Sequence, residues 1–426
     1  MTKLLVLSDD AVPSGYGRIC SEIMTRLYRR GYEIISASLQ YDGLLPPVYE
    51  GQRLPYWVPS LGGHPNWPDQ FMALLHSMQP DIVMVIQDAP YAETVRHAPI
   101  DWSRYGFVVI TPVDGAPVLH SWVDMLKRAD GTLSISQFGV DTHRAAGIPS
   151  ELCRPGVNPD VFYRLPDDPR AAIRQKLGIE PDAFVMGSVG MNQGRKDYPH
   201  MLEAFFRFSA DKPDARYLIN TLPQSPAGWD LMQLCAMNGW DSSKIIWQTQ
   251  CEQRGVLELR ERYNVMDVHV MLAHREGFGL PLLEAQACGV VSMALGWCSG
   301  TEICGEGYGV LIPTLKDAYG DYVSYSTWGN SYDKHPDRKG FVDALQRLYD
   351  HPEERASIAQ RGMERARTWT WDASVDNVTK VIERVMAKRR ALPLPQIAPV
   401  PMIAPVVQSV DGLKPQIIEL VERVGA

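Results

Sequence analysis

Apolar runs of strand length recur along this chain with segments of helical spacing between them, and this alternation restricts the fold more than any other feature. Leu4 to Leu7, Ile34 to Ala37, Ile82 to Ile86 and Phe107 to Ile110 form one series. Between the first two, Ile19, Ile23 and Leu27 recur at helical spacing and stop at Gly31, where a left-handed cap fits. Continuous apolar strands alternating with helices imply a parallel sheet covered on both faces. The pattern restarts after a Pro- and Asp-rich loop, Arg164 to Pro169, with Phe184 to Val189, Tyr217 to Ile219, Ile245 to Trp247, Val268 to Leu272 and Val290 to Ala294. Two consecutive doubly wound units are therefore expected. Ligands of such sheets sit beyond the carboxyl ends of the strands, so the loops that follow strands are where chemistry is sought.

The bulk properties bound the reading. A length of 426 residues suits two domains. Hydrophobic residues at 45% and charged residues at 22% describe a folded globular chain. A net charge of -8 argues against a globally basic nucleic-acid binder. Seven cysteines without a C-x-x-C pair read as reduced thiols, not as a disulfide frame or a zinc site. The first apolar run is too short for a signal core, and no stretch approaches the roughly 18 apolar residues of a spanning helix. A cytoplasmic protein, not integral to a membrane, is expected. The arginines at 26, 29 and 30 read either as a lipid-phosphate contact or as a solvated helix face. From Ala391 the chain turns Pro-rich, which excludes a regular helix there, and a short apolar helix from Gln416 to Val424 is expected to end it.

The segment His274 to Gly289 carries the most chemistry. It follows the strand Val268 to Leu272, opens a helix with Pro281 near its first position, and closes it at Gly289. Gly277 and Gly279 let backbone amides approach a ligand closely, and the helix N-terminus favours negative charge, a natural seat for a diphosphate or a sugar hydroxyl. A second Gly-rich loop, Gly187 to Lys196, places Arg195 and Lys196 together, two cations suited to a departing diphosphate. After the first strand, Pro13-Ser-Gly-Tyr-Gly-Arg18 precedes a helix and offers a backbone nest. It imitates a dinucleotide fingerprint only in part, because Cys20 stands at the third glycine, and an NAD enzyme is a poor competitor.

Glu276-Gly-Phe-Gly-Leu-Pro-Leu-Leu-Glu284 resembles the Glu-x7-Glu signature of retaining glycosyltransferases of family 4 (glycosyl transferases group 1), which have the GT-B fold: α/β, two doubly wound Rossmann-like domains facing across a cleft. Further likeness runs from about Phe184 to Met386, including Tyr263 to Val270, Gly300 to Ile312 and Trp369-Thr-Trp371. The resemblance implies an N-terminal acceptor domain at 1–160 with a return helix at 371–389, a donor domain at 161–370, and a tail at 390–426. It implies that Glu276 bonds donor-sugar hydroxyls, that the amides of Gly277, Phe278, Gly279 and Leu280 reach the sugar and phosphates, and that Glu284 binds the ribose. Gly15 and Gly17 would lie near the donor phosphates. Lys196 is carried over directly. Met191 stands where the family has an arginine, so Arg195 is expected to compensate. Asp114, where many members carry a histidine, would orient the acceptor or sugar, or else is only an Asp-Gly turn. Glu302 reads equally as a ligand and as a cap.

The expected function is transfer of a sugar from a nucleotide diphosphate sugar to an unidentified acceptor (glycan, lipid, protein, metabolite or modified base), with retention, no cofactor and no metal. The alternative is a scaffold that kept the fold and lost turnover, supported by Met191 and Asp114 at the two departures. The loop Tyr41 to Pro68 is expected to shape the acceptor side.

Overall fold

The computed structural model describes residues 1–63, 65–249, 255–326 and 331–391. The Pro-rich tail and its expected terminal helix lie outside them.

Each apolar run of the first series is a buried parallel strand: β1 (Lys3–Ser8), β2 (Glu33–Ser38), β3 (Ile82–Ile86) and β4 (Gly106–Thr111). β5 (Gly131–Ser134) and β6 (Glu151–Leu152) complete a six-stranded sheet of order β2-β1-β3-β4-β5-β6. Parallel bridges from Ile35 to Trp57 and from Ser38 to Ser60 add a short segment outside β2. The second series gives β7 (Phe184–Val189), β8 (Ala215–Asn220), β9 (Ile245–Gln248), β10 (Val268–Met271), β11 (Val291–Leu295) and β12 (Val310–Ile312), in the order β9-β8-β7-β10-β11-β12. This is the 3-2-1-4-5-6 order of a dinucleotide-type sheet, and with the segment at Trp57 to Ser60 the first half approaches the same order. Both halves are Rossmann-like, and the architecture is GT-B.

Helix α1 (Gly15–Arg29) follows β1, is capped by the Ser14 hydroxyl, and is followed by Gly31 at φ 90°. α2 (Gln137–Ala145) follows β5, α3 (Tyr198–Phe208) follows β7, and α4 (Leu280–Ala287) follows β10. The final described helix, α5 (Trp371–Arg390), returns to the first half and packs on α1 and on β4 to β6. The sheet makes room for it with glycines: a Cβ at Gly131 would stand 2.3 Å from Val381, and one at Gly106 would stand 2.8 Å from Val385. Arg26 on α1 and Arg30 just after it pair with Asp372 and Asp376 on α5, so these two arginines hold the return helix.

The chain crosses between the halves twice, side by side. Val157 N–H donates to Trp369 O at 3.0 Å, and Gly156 lies so close to the backbone of Thr370 and Trp371 that a Cβ would meet it at 2.4 Å. Residues 1–391 form one compact unit, and no helix among the described residues is long and apolar enough to cross a membrane.

A second feature went unread in the sequence. Between β12 and the next helix the chain forms a hairpin, Val323–Tyr325 paired with Tyr332–Lys334, which reaches the first half where Tyr332 N–H donates to Ala116 O at 2.9 Å.

Candidate active site

The two Gly-rich loops of the second half meet at one carboxylate. Glu276, in the loop between β10 and α4, accepts from Arg195 at 3.0 Å and from the Lys196 ammonium. Burial alone would raise the Glu276 carboxyl, but Lys196 and Arg195 override it and hold it at about 2. Burial lowers the Lys196 ammonium from its ordinary value, against the opposing pull of Glu276. Burial also weakens the Arg195 charge, yet Glu276 and Asp114 more than offset that and raise its pKa. Glu276 and Arg195 are therefore charged at neutral pH. Met191 is 60% exposed, so the position where an arginine was expected is turned to solvent, and Arg195, four residues later, is the guanidinium that donates to Glu276.

This carboxylate faces the first half directly. Glu276 N–H donates to Asp114 O at 3.1 Å, and a Cβ on Gly277 would stand 2.6 Å from Pro112 and 2.9 Å from the Asp114 carboxylate. Only glycine permits this approach. Gly279 caps α4 at φ 94°, and Phe278 and Leu280 are buried. Asp114 thus sits directly against the Glu276 loop, across the seam between the halves.

Glu284 lies on α4, 2% exposed, where Tyr263 donates to it at 2.8 Å and Arg18 of α1 donates from the opposite half. Gly15 begins α1 with open space around it, whereas a Cβ on Gly17 would collide with Val12 O at 1.9 Å. Gly17 is accordingly explained by packing, and Gly15 is the one that leaves backbone accessible. Glu302 spends both carboxylate oxygens, one on the Gln137 N–H that opens α2 at 2.7 Å and one on Arg154 at 2.6 Å. That geometry favours the capping reading over a ligand.

Three arrangements escaped the sequence reading. Arg18 ends the Pro13 to Arg18 nest with no role expected of its side chain, yet it crosses the cleft to Glu284. Asp88, after β3, accepts from Tyr16 and is pushed up to about 6 by burial and by neighbouring Asp114. Behind Lys196, Asp197 lies 2.7 Å from His200 Nδ1 and 2.9 Å from His274 Nε2. Their ligand atoms are close enough together to hold a metal ion, and hydrogen bonding to Asp197 accounts for the same geometry without one.

Comparisons with known proteins follow this geometry. Residues 169–365 match the family described as Glycosyl transferases group 1, so the second half carries a domain of that family. A D-inositol 3-phosphate glycosyltransferase of Stackebrandtia nassauensis is 28% identical over 274 residues, covering 62% of this chain and 55% of that protein. The same-named protein of Geodermatophilus obscurus is 36% identical over 172 residues, 38% of this chain and 35% of its own length. The chain thus spans about half the length, or less, of the curated relatives it matches. Among solved structures, sucrose-phosphate synthase of Thermosynechococcus elongatus superposes with a TM-score of 0.73 at 16% identity over 91% of this chain and all of that one. Anabaena HepE in complex with UDP and glucose gives 0.70 at 15% identity, over 90% of this chain and all of HepE. These likenesses show the fold.

Proposed function

We propose that this chain is a retaining glycosyltransferase that moves a sugar from a nucleotide diphosphate sugar to an acceptor hydroxyl. The observation that carries the reading is the convergence of Arg195 and Lys196 on Glu276, in the loop that leads into α4 and touches the other half. A cleft built this way offers cations to a diphosphate, a carboxylate to sugar hydroxyls, and a second carboxylate, Glu284, to a ribose. HepE, which shares the fold, binds UDP and glucose, in keeping with such a donor.

In this reading the bond between the anomeric carbon and the diphosphate oxygen breaks while the acceptor oxygen bonds to that carbon on the same face. The acceptor proton passes to the departing phosphate. Arg195, Lys196 and the amides at Gly277 to Leu280 stabilise the charge that grows on the leaving group, the kind of preorganised electrostatics that supplies much of enzymic rate. In this reading Glu276 orients the sugar and Asp114 the acceptor, and the acceptor half, completed by α5, joins the donor half where Val157 pairs with Trp369. No metal is assigned a step. The six described cysteines are buried and unpaired, which suits the reducing cytoplasm proposed for it.

The test is release of nucleoside diphosphate from a panel of UDP-, GDP- and ADP-sugars. Release with at least one donor, lost in Glu276→Gln, supports transfer. Nucleotide binding without turnover of any donor would leave the scaffold reading.

A further inference from the structure

Resting on that reading, we propose that the acceptor is an uncharged carbohydrate, its hydroxyl received between Asp88 and Asp114 and its ring steadied by the tyrosines of the hairpin Val323–Tyr325 and Tyr332–Lys334. This departs from the phosphorylated inositol for which the curated relatives are named.

The charge of the cavity beside Asp114 comes first. It measures about 40 Å³, room for a few waters or one hydroxylated arm, and is walled by Asp88, Thr111, Asp114, Trp122, His143 and Ser331 among others. Its wall contains two carboxylates and neither Lys nor Arg. His143 adds no cation, because burial lowers it to about 4. The two cations on the hairpin side of it, Arg275 and Lys334, each sit beside a carboxylate, Asp333 at 3.1 Å and Asp321 at 2.7 Å. Carboxylates accept hydrogen bonds from hydroxyls and repel a phosphate, so the same pair both receives the one and disfavours the other.

The hairpin supplies the second observation. Ser331 lines the cavity, and its neighbour Tyr332 is tied to the first half through Ala116. Across the strands Tyr325 and Tyr332 form an edge-to-face pair with centroids 5.5 Å apart, 77% and 37% exposed. Tyr319 and Tyr322 on the preceding segment are also exposed. Large, stiff rings left in water one residue from a cavity that holds two carboxylates suit the apolar faces of sugar rings. A single-stranded nucleic acid would also stack on rings, but needs a cationic track for its backbone, and the cavity wall beside these rings holds neither Lys nor Arg.

An array of neutral oligosaccharides beside their phosphorylated counterparts, probed with the full-length protein, tests this. The expected result is retention on neutral saccharides, reduced about tenfold in the Tyr325→Ala and Tyr325→Ala/Tyr332→Ala variants with unchanged melting temperatures. Tyr325 is exposed enough that the single variant keeps the test meaningful where the double one fails to fold. Retention confined to phosphorylated saccharides, equal retention by the variants, or no retention overturns the proposal. Because retention needs no turnover, nucleotide-sugar hydrolysis by the wild-type protein judges the transfer reading separately.

Discussion

Arg18, on the first helix of one half, donates to Glu284, 266 residues further on and on the opposite wall of the cleft. Glu284 is also held by Tyr263, so a buried carboxylate proposed to meet a ribose already has a cation from the facing half. Replacing Glu284 with Gln keeps the shape and removes the charge. It is expected to weaken nucleoside diphosphate binding about tenfold, read by titration calorimetry with UDP, GDP and ADP. Unaltered affinity for all three would exclude the ribose role. Arg18→Met leaves the carboxylate with one neutral donor, and denaturant unfolding is expected to show a loss of about 1–3 kcal/mol.

Arg195 and Lys196 are asked to do what the expected arginine at position 191 would have done. Lys196→Ala is expected to lower kcat about 10²- to 10³-fold, the usual consequence of removing one preorganised charge partner of a transition state. Met191→Ala, exposed and outside the site, is expected to leave kcat within about twofold, as surface positions away from such features usually do. A larger fall at Met191 than at Lys196 would place the leaving group elsewhere in the loop. The donor used in this assay is the one from which the panel of nucleotide sugars shows nucleoside diphosphate released.

Much of this was legible because strand-length apolar runs such as Ile82–Ile86 and Val268–Met271 are buried on both faces and carry no competing helical period. Glu276 and Glu284 were legible because their helix, its proline and its glycines are contiguous in sequence. What stayed hidden was made by residues far apart. Arg18 meets Glu284, Glu302 meets Gln137 and Arg154, and Tyr332 meets Ala116, none of which any local period encodes. The hairpin escaped because its strands are three residues each, and a Tyr-rich segment without strict alternation reads as loop. The arginines of α1 were visible as a charged face, but their partners on α5 lie more than 340 residues away.

Gly131 offers a test of the return helix that is independent of chemistry. A Cβ there would stand 2.3 Å from Val381 on α5, so Gly131→Ala forces the helix or the strand to shift. Overpacking of this kind typically costs about 1–3 kcal/mol, and denaturant unfolding is expected to show a fall in that range. An unchanged midpoint would mean that α5 is loosely seated on β5. The counterpart Val381→Ala, which trims the opposing side chain, is expected to recover part of the loss when combined with Gly131→Ala.

The acids of the cleft predict opposed pH effects on stability. Glu276 is held at about 2 in the folded chain, below its unfolded range near 4.3, so the stability it contributes is present at neutral pH. That contribution is lost as pH falls from about 5 toward 2. Asp9 and Asp88 are each pushed up to about 6, chiefly by burial, above the unfolded value near 3.9. A raised carboxyl binds its proton more tightly when folded, so these two favour the folded chain below about pH 4 and lose that advantage as pH rises through 6. Between pH 4.5 and 7, where Glu276 changes little, the melting temperature of Asp88→Asn is therefore expected to vary less with pH than that of the wild type. Below pH 4 the Glu276→Gln variant is expected to show a shallower acid decline than the wild type. Parallel melting curves for wild type and Asp88→Asn across pH 4.5 to 7 would show that the Asp88 carboxyl keeps its ordinary affinity for protons, and with it that the cavity beside Asp114 is better solvated than its burial implies.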